Sequence, residues 1–473
     1  MSWVTPQYQI NSFDLEKTYF RSKRWLLLLT FALGIGLVSF FNQPAAITIS
    51  ILLTFFCFGE LVLALGKVLP VLEITSLLMV VQLLLVPYLD YSILAPKKMS
   101  AMVVSQETYF SYALPAVLAF IVGMRLRLRI RKSKSWQGEM SFSEIDRKKN
   151  SKIGVGLIVI GYTSLLVQSV QSLPGLEFFI VVLTLMRFVG IFYLMNSDNR
   201  FSNLWILVVV VPATITTVRG SIFIDLLIWF FFIYAFVAIK YKVTAKTTLL
   251  IVVCTTFFLM ILQTVKTEYR KIEWSTNRVT KEATGVDLFT DILSSRVQTI
   301  DKSSLWMMQA KFITRLNQGF IVSYVMRKDV VGTTNQTNLY FGNELLGIIL
   351  PRFIFTEKAT VGDNKKFRFL TGIPLATTVA MNVGILGDGF GNFGYIGGIL
   401  FCFAFGVFLN LALNYCFTLS GKVPTILFWI PLIFFYVMRA GNEFYIITNW
   451  TVKVALVVVV YYAISKRIFG KAI

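Results

Sequence analysis

Residues 21–46 read RSKRWLLLLTFALGIGLVSFFNQPAA: a basic cluster, Arg21-Ser22-Lys23-Arg24, stands directly before an apolar run from Trp25 to Phe41. Asn42-Gln43-Pro44 then leads straight into a second apolar run, with no small-residue cleavage site between the two. A secretory signal would end in such a site, so the first run reads as an uncleaved anchor that leaves the N-terminus in the cytoplasm. The rest of the chain repeats this pattern. Apolar stretches long enough to cross a bilayer fall at 25–41, 45–66, 69–89, 108–124, 153–170, 176–195, 201–218, 221–239, 247–265, 396–418, 423–438 and 451–464, about twelve in all. The expected fold is therefore an all-α polytopic membrane protein with both termini cytoplasmic and one long periplasmic loop bearing short interfacial helices.

Composition agrees. The 473 residues are 56% apolar and 15% charged, with a mean hydropathy of +0.71, beyond the apolar share of a soluble domain. The formal charge of +21 raises the question of nucleic acid, but the basic residues sort by side of the membrane. One set of connectors carries Lys67, the block Arg125 to Lys134 with Arg147 to Lys152, Arg200, Lys240 to Lys246, Lys422 and Lys466-Arg467. The alternate short connectors carry only Lys97, Lys98, Arg219 and Arg439. This asymmetry places the cytoplasmic segments at 1–24 and 465–473, the basic loop 125–152 inside, nine spans in 25–265, three in 396–464, and the large loop 266–395 outside. The Arg/Leu alternation of Arg125 to Arg131 reads as a juxtamembrane stop-transfer segment held by anionic lipid, not as a nucleic-acid site.

Cys57, Cys254, Cys402 and Cys416 all lie in apolar runs, so neither disulfide nor zinc site is expected. There is no histidine, which removes the commonest general base and metal ligand together. Chemistry here has to use carboxylates, hydroxyls and cations, with no metal or cofactor.

The loop is where those residues gather. Ser303 to Met326 has apolar residues at helical spacing, including Trp306, Phe312, Leu316 and Phe320, with a polar face at Lys311, Arg315 and Gln318. Leu339 to Leu350 is too short to cross, and Pro351 ends it as a helix. Both read as helices on the outer surface or dipping into the bundle. Arginines near spans are costly and therefore functional candidates: Arg219 and Arg439 level with the loop, and Arg187 deeper, where a helix carbonyl or Glu60 would serve as partner. In the loop itself Arg315, Arg352 and Lys358 bracket the amphipathic segments, and Pro351 fixes the chain direction before Arg352. A planar five-donor fork at a membrane surface suits the phosphate or pyrophosphate of a lipid carrier. Gly387 to Gly398 holds six glycines in twelve positions. Without a preceding strand or a Gly-Lys-Ser it is no phosphate loop; it reads as a tight turn or close backbone approach before the tenth span, presenting Asp388.

Taken in order, Arg219-Gly220 before a span, Arg315-Leu316-Asn317-Gln318-Gly319, Leu350-Pro351-Arg352-Phe353 with Lys358 close behind, and Asp388 before Asn392-Phe393-Gly394 and Gly397 resemble the O-antigen polymerase (Wzy) family of oligosaccharide repeat-unit polymerases. The resemblance covers the last two thirds of the chain. Relatives often carry Trp-Pro before the lysine and Glu before Asn-Phe-Gly, where this chain has Phe355-Thr356-Glu357 and Asp388. The resemblance implies a bacterial inner-membrane glycosyltransferase, acting on the periplasmic side on a polyprenyl-pyrophosphate-linked oligosaccharide and making O-antigen, capsule or exopolysaccharide. Membrane lipids, and a chain-length regulator and flippase of the same pathway, would be its partners. Arg219, Arg315 and Arg352, supported by Lys358 or Arg439, would stabilise the leaving pyrophosphate, and Asn392 would lie in the glycan site. Asp388, ahead of Glu344 and Glu443, would take the proton of the acceptor hydroxyl. A polytopic transporter or flippase for a lipid-linked or anionic saccharide is the alternative. A ligase is a further one, but its resemblance would imply a histidine in the large outer loop, and the chain has none.

Overall fold

A computed structural model describes residues 12–41, 44–92, 102–126, 147–170, 176–220, 224–273, 290–295, 302–330, 338–349, 364–375 and 381–469. Among the described residues the protein is helical, with no strand. Its helices are α1 (Ser12–Phe41), α2 (Ala45–Ala64), α3 (Val71–Ser92), α4 (Gln106–Arg125), α5 (Arg147–Val170), α6 (Glu177–Met195), α7 (Ser202–Gly220), α8 (Ile224–Tyr241) and α9 (Ala245–Glu273). They continue with α10 (Lys302–Leu316), α11 (Gly319–Val330), α12 (Asn338–Ile349), α13 (Asn364–Thr371), α14 (Gly384–Ser420) and α15 (Phe444–Phe469). Nine of the described helices are long and apolar enough to cross a membrane. Helix is what an apolar run must form there, because lipid offers no partner to backbone N–H and C=O groups.

Pairwise contacts fix how the helices run. On α1 and α2, Gly34 meets Leu52 while Gly59 meets Leu26, an antiparallel pair. α4 and α14 run parallel: the Tyr395 hydroxyl donates to the carbonyl of Ser111 near the start of α4, and Asn410 Nδ2 donates to that of Leu126 at its end, at 2.7 Å. Between those points a Cβ on Gly123 would lie 2.3 Å from the carbonyl oxygen of Phe403, and one on Gly406 2.3 Å from that of Phe120. The two backbones touch, which is how membrane helices gain packing where no hydrophobic force separates helix from lipid. α6 and α15 are also parallel, joined by the Phe178 and Trp450 rings and by the Tyr193 and Tyr462 hydroxyls.

The segment 423–438, expected as one helix, is broken into a 3-10 turn (Pro424–Phe428), a single α-turn (Ile430–Ile433) and a second 3-10 turn (Phe435–Met438). Pro424 and Pro431 withhold backbone donors, which interrupts the ladder. The break is tolerated because the segment is buried in protein, with Phe428, Trp429, Ile430 and Leu432 wholly covered. Thr425 bonds Tyr462 while Tyr436 packs on Trp450. Those partners stand twelve residues apart on α15, about 18 Å of helix, so the broken segment advances through much of the bundle's depth.

Three other expectations change. The amphipathic stretch 303–326 is two helices, broken at Asn317-Gln318. The Gly-rich run does turn, but with helix on both sides: α14 begins at Gly384, and its break lies at Gly394, with φ 69 and ψ −162, a conformation open to glycine. The chain folds back there so closely that a Cβ on Gly398 would sit 2.9 Å from the carbonyl carbon of Gly389. The last helix begins at Phe444, seven residues before the expected 451.

Candidate functional site

The break at Asn317-Gln318 anchors the large loop to the bundle. Asn317 Oδ1 accepts from the Phe320 N–H at 3.1 Å, capping α11, while its Nδ2 donates to Asp90 at 3.1 Å. Within α3, residues Val81–Leu85 widen to a π-helical turn. The Gln82 carbonyl accepts from the Gln318 N–H at 3.2 Å and the Leu83 carbonyl from the Tyr109 hydroxyl at 2.7 Å. Gly319 lies against Pro87 and Tyr109, where a Cβ would clash. α11 then buries Ile321, Val322, Val325 and Met326 in the main core together with Phe367 and Leu370 of α13. These loop helices are part of the bundle.

That docking brings four segments to one point. Lys366 on α13 extends its ammonium to Glu344 on α12, to Asp388 Oδ1 on α14 at 2.9 Å and to Glu443, just before α15, at 3.5 Å. All four side chains are 6% exposed or less. Lys366 is inward because α13 is amphipathic: it shares a face with Leu370, one turn on, while Lys365 and Arg368 are exposed. Asp388 is fully engaged. Asn392, one helical turn away, donates Nδ2 to its Oδ1 at 2.7 Å, and the Phe444 N–H donates to its Oδ2 at 3.1 Å. Its carboxylate thereby satisfies an otherwise orphan donor at the N-terminus of α15, where a negative charge is favoured. Glu344 is half engaged: Lys366 holds Oε1, and Oε2 is buried without a hydrogen-bond partner. The Asn392 Oδ1 is likewise unpartnered.

Phe341, one turn before Glu344, packs its ring at 5.0 Å from both Phe393 and Phe444 and 5.7 Å from Phe401. This aromatic wall keeps the local dielectric low. Burial, with Asp388 and Glu443 adding like charge, pushes the Glu344 carboxyl up to about 8 against the pull of Lys366. The three carboxylates in turn hold the Lys366 ammonium well above the ordinary lysine range despite its burial. Three acids facing one cation favour retention of a proton among them, and burial with like charge beside it raises the proton affinity of Glu344.

The three carboxylates singled out in the sequence, with Asn392, thus meet. Lys366 is the member sequence reading missed; its signal was a lysine on the apolar face of a short amphipathic helix. The cations expected to hold pyrophosphate do not join them. Arg315 ends α10 with its side chain exposed. Arg439 pairs with Asp225 at the start of α8, its guanidinium over the Tyr436 ring at 4.7 Å and the Phe435 ring at 5.5 Å. Arg219 lies in the last turn of α7 with its side chain outside the described residues, and Arg352 and Lys358 fall outside them altogether. Arg187 does not meet Glu60: it lies over the rings of Tyr162 and Phe188, and Glu60 is taken by Lys23 and Arg125. Among the described residues no group of three or more acidic, cysteine or histidine side chains is arranged to hold a metal ion.

Comparisons of the chain with family models, with curated proteins and with solved structures return no match.

Proposed function

We propose that the protein is a bacterial inner-membrane glycosyltransferase that polymerises polyprenyl-pyrophosphate-linked oligosaccharide repeat units on the periplasmic side. One observation carries the reading: Glu344, Asp388, Asn392 and Glu443, drawn from segments up to about a hundred residues apart, converge where the large loop joins the bundle. Such a site supplies what the reaction needs from a protein without histidine, namely a carboxylate of raised proton affinity beside fixed donors and acceptors. Arg219, Arg315 and Arg352, with Lys358 or Arg439, serve the leaving pyrophosphate in this reading. The accompanying topology is twelve crossings with both termini inside, the eleventh being the broken segment 423–438. In support, the helix directions read from contacts agree with that count: α1 and α2 are antiparallel, while α4 with α14 and α6 with α15 are parallel.

A transporter or flippase for a lipid-linked or anionic saccharide is the second reading, favoured by the same buried carboxylates, since buried acids among helices also serve as proton relays. Lengthening of a lipid-linked oligosaccharide by purified protein in detergent separates the two, because no transporter forms a glycosidic bond. The expected result is a ladder of products from one repeat-unit substrate. Absence of products longer than the substrate, across candidate repeat units that a native membrane extract does polymerise, removes the polymerase reading.

A further inference from the structure

We propose, resting on the polymerase reading, that Lys366 is a positioning residue that, with Asp388, sets the proton affinity of Glu344, and that Glu344 takes the proton of the attacking sugar hydroxyl. The assignment comes from which oxygens are occupied. Both Asp388 oxygens are committed, Oδ1 to Lys366 and Asn392 and Oδ2 to the Phe444 N–H. Glu344 alone combines one oxygen held by Lys366 with a second that is buried and unpartnered. Once Glu344 is ionised that oxygen is a buried acceptor in need of a donor, and a sugar hydroxyl is one.

In the step itself, the acceptor O–H bond breaks and its proton goes to Glu344 Oε2. The oxygen's electron pair forms the new bond to the anomeric carbon of the lipid-linked glycan. The bond from that carbon to the pyrophosphate oxygen breaks, and polyprenyl pyrophosphate leaves with the electron pair of that broken bond. The charged and titratable groups facing Glu344 are Lys366 from α13, Asp388 from α14 and Glu443 before α15. Lys366 pulls the Glu344 proton affinity down and the two acids push it up. A base must be ionised to act, so elongation should rise with pH and level off above about 8.

The test reads the proton and the product separately. Infrared spectra of the purified wild type, with no substrate present, should contain a protonated-carboxyl band that is lost with a midpoint near pH 8 and is missing in Glu344→Gln. Lys366→Met should move that midpoint to higher pH, Lys366→Arg should restore it, and the pH profile of elongation should follow in each case. Glu344→Gln should slow elongation on the order of 10²–10⁴-fold. Should Lys366→Met fail to accumulate, the isosteric Asp388→Asn carries the same test with opposite sign, moving the midpoint down. A band untouched by Glu344→Gln, or a midpoint unmoved by the neighbouring substitution, overturns the proposal while leaving a polymerase that elongates in place. A wild type with the titrating band and no elongation overturns it through the polymerase reading instead.

Discussion

At one end of the bundle a buried acid, Glu60, with Glu73 close by, faces two cations; at the other a buried cation, Lys366, faces three acids. The ends differ in what happens when the central charge is removed. Lys23 and Arg125 close on Glu60 from α1 and α4, but their side chains are 30% and 24% exposed, and Arg125 also donates to the Ser76 hydroxyl at 3.0 Å. Either cation reaches water or lipid headgroups by a small change of rotamer. Around Lys366 no member has that exit, since each acid is 6% exposed or less behind the Phe341, Phe393 and Phe444 rings. A charge cluster near solvent fastens helices; one held away from bulk water sets proton affinities.

The largest effect should therefore come from Lys366→Met. It leaves three buried carboxylates without a cation, and breaking a buried pair in this way costs about 3–5 kcal/mol. Thermal unfolding of the purified variant in detergent, followed by loss of the monodisperse peak, measures it. The deficit should shrink as pH falls, because the stranded carboxylates take up protons and shed their charge. A deficit that is constant with pH would mean that packing, not charge, is what Lys366 contributes.

Glu60→Gln tests the other end and should cost less, about 1.5–3 kcal/mol, the worth of hydrogen bonds to charged groups. Its cations can rehydrate, so the effect should also fade in high salt. A cost equal to that of Lys366→Met, insensitive to salt, would erase the distinction between the two ends.

Much of this was legible in the sequence. Apolar runs report helices in lipid directly, because the backbone has no alternative there, and α2, α3, α6 and α8 begin and end close to where the hydropathy places them. Segment 423–438 misled because composition reports burial and not continuity, and only the prolines at 424 and 431 hinted at the break. The carboxylates were legible as polar residues beside glycine and proline motifs. Lys366 was hidden because its pairing is long-range in sequence: nothing within α13 distinguishes it from Lys365 except the face on which it falls. Gln318 and Gly319 looked like motif residues and turn out to be docking residues, seated on the π-helical turn of α3. Asn317→Ala, which removes the α11 cap and the bond to Asp90, should accordingly cost about 0.5–2 kcal/mol in the same unfolding assay. An unchanged stability would detach the loop's anchoring from that residue.

The smallest effect should come from Arg368→Ala, and its smallness sharpens the comparison. Arg368 stands two residues from Lys366 on the same eight-residue helix and carries the same charge, yet successive positions turn by about 100°, so it points away from the acids and is exposed. If what matters at this end were the overall positive charge of α13 acting on the surrounding field, the two substitutions would weaken the protein comparably and both would move the titration of Glu344. If what matters is one ammonium sealed among three carboxylates, solvent screens Arg368 and its loss stays within about 0.5 kcal/mol. Measuring Arg368→Ala beside Lys366→Met, for unfolding and for the pH midpoint of the protonated carboxyl, holds helix, charge and neighbourhood constant and varies burial. A shift of the Glu344 midpoint in Arg368→Ala as large as that in Lys366→Met would transfer the effect from the buried contact to the field of the helix as a whole.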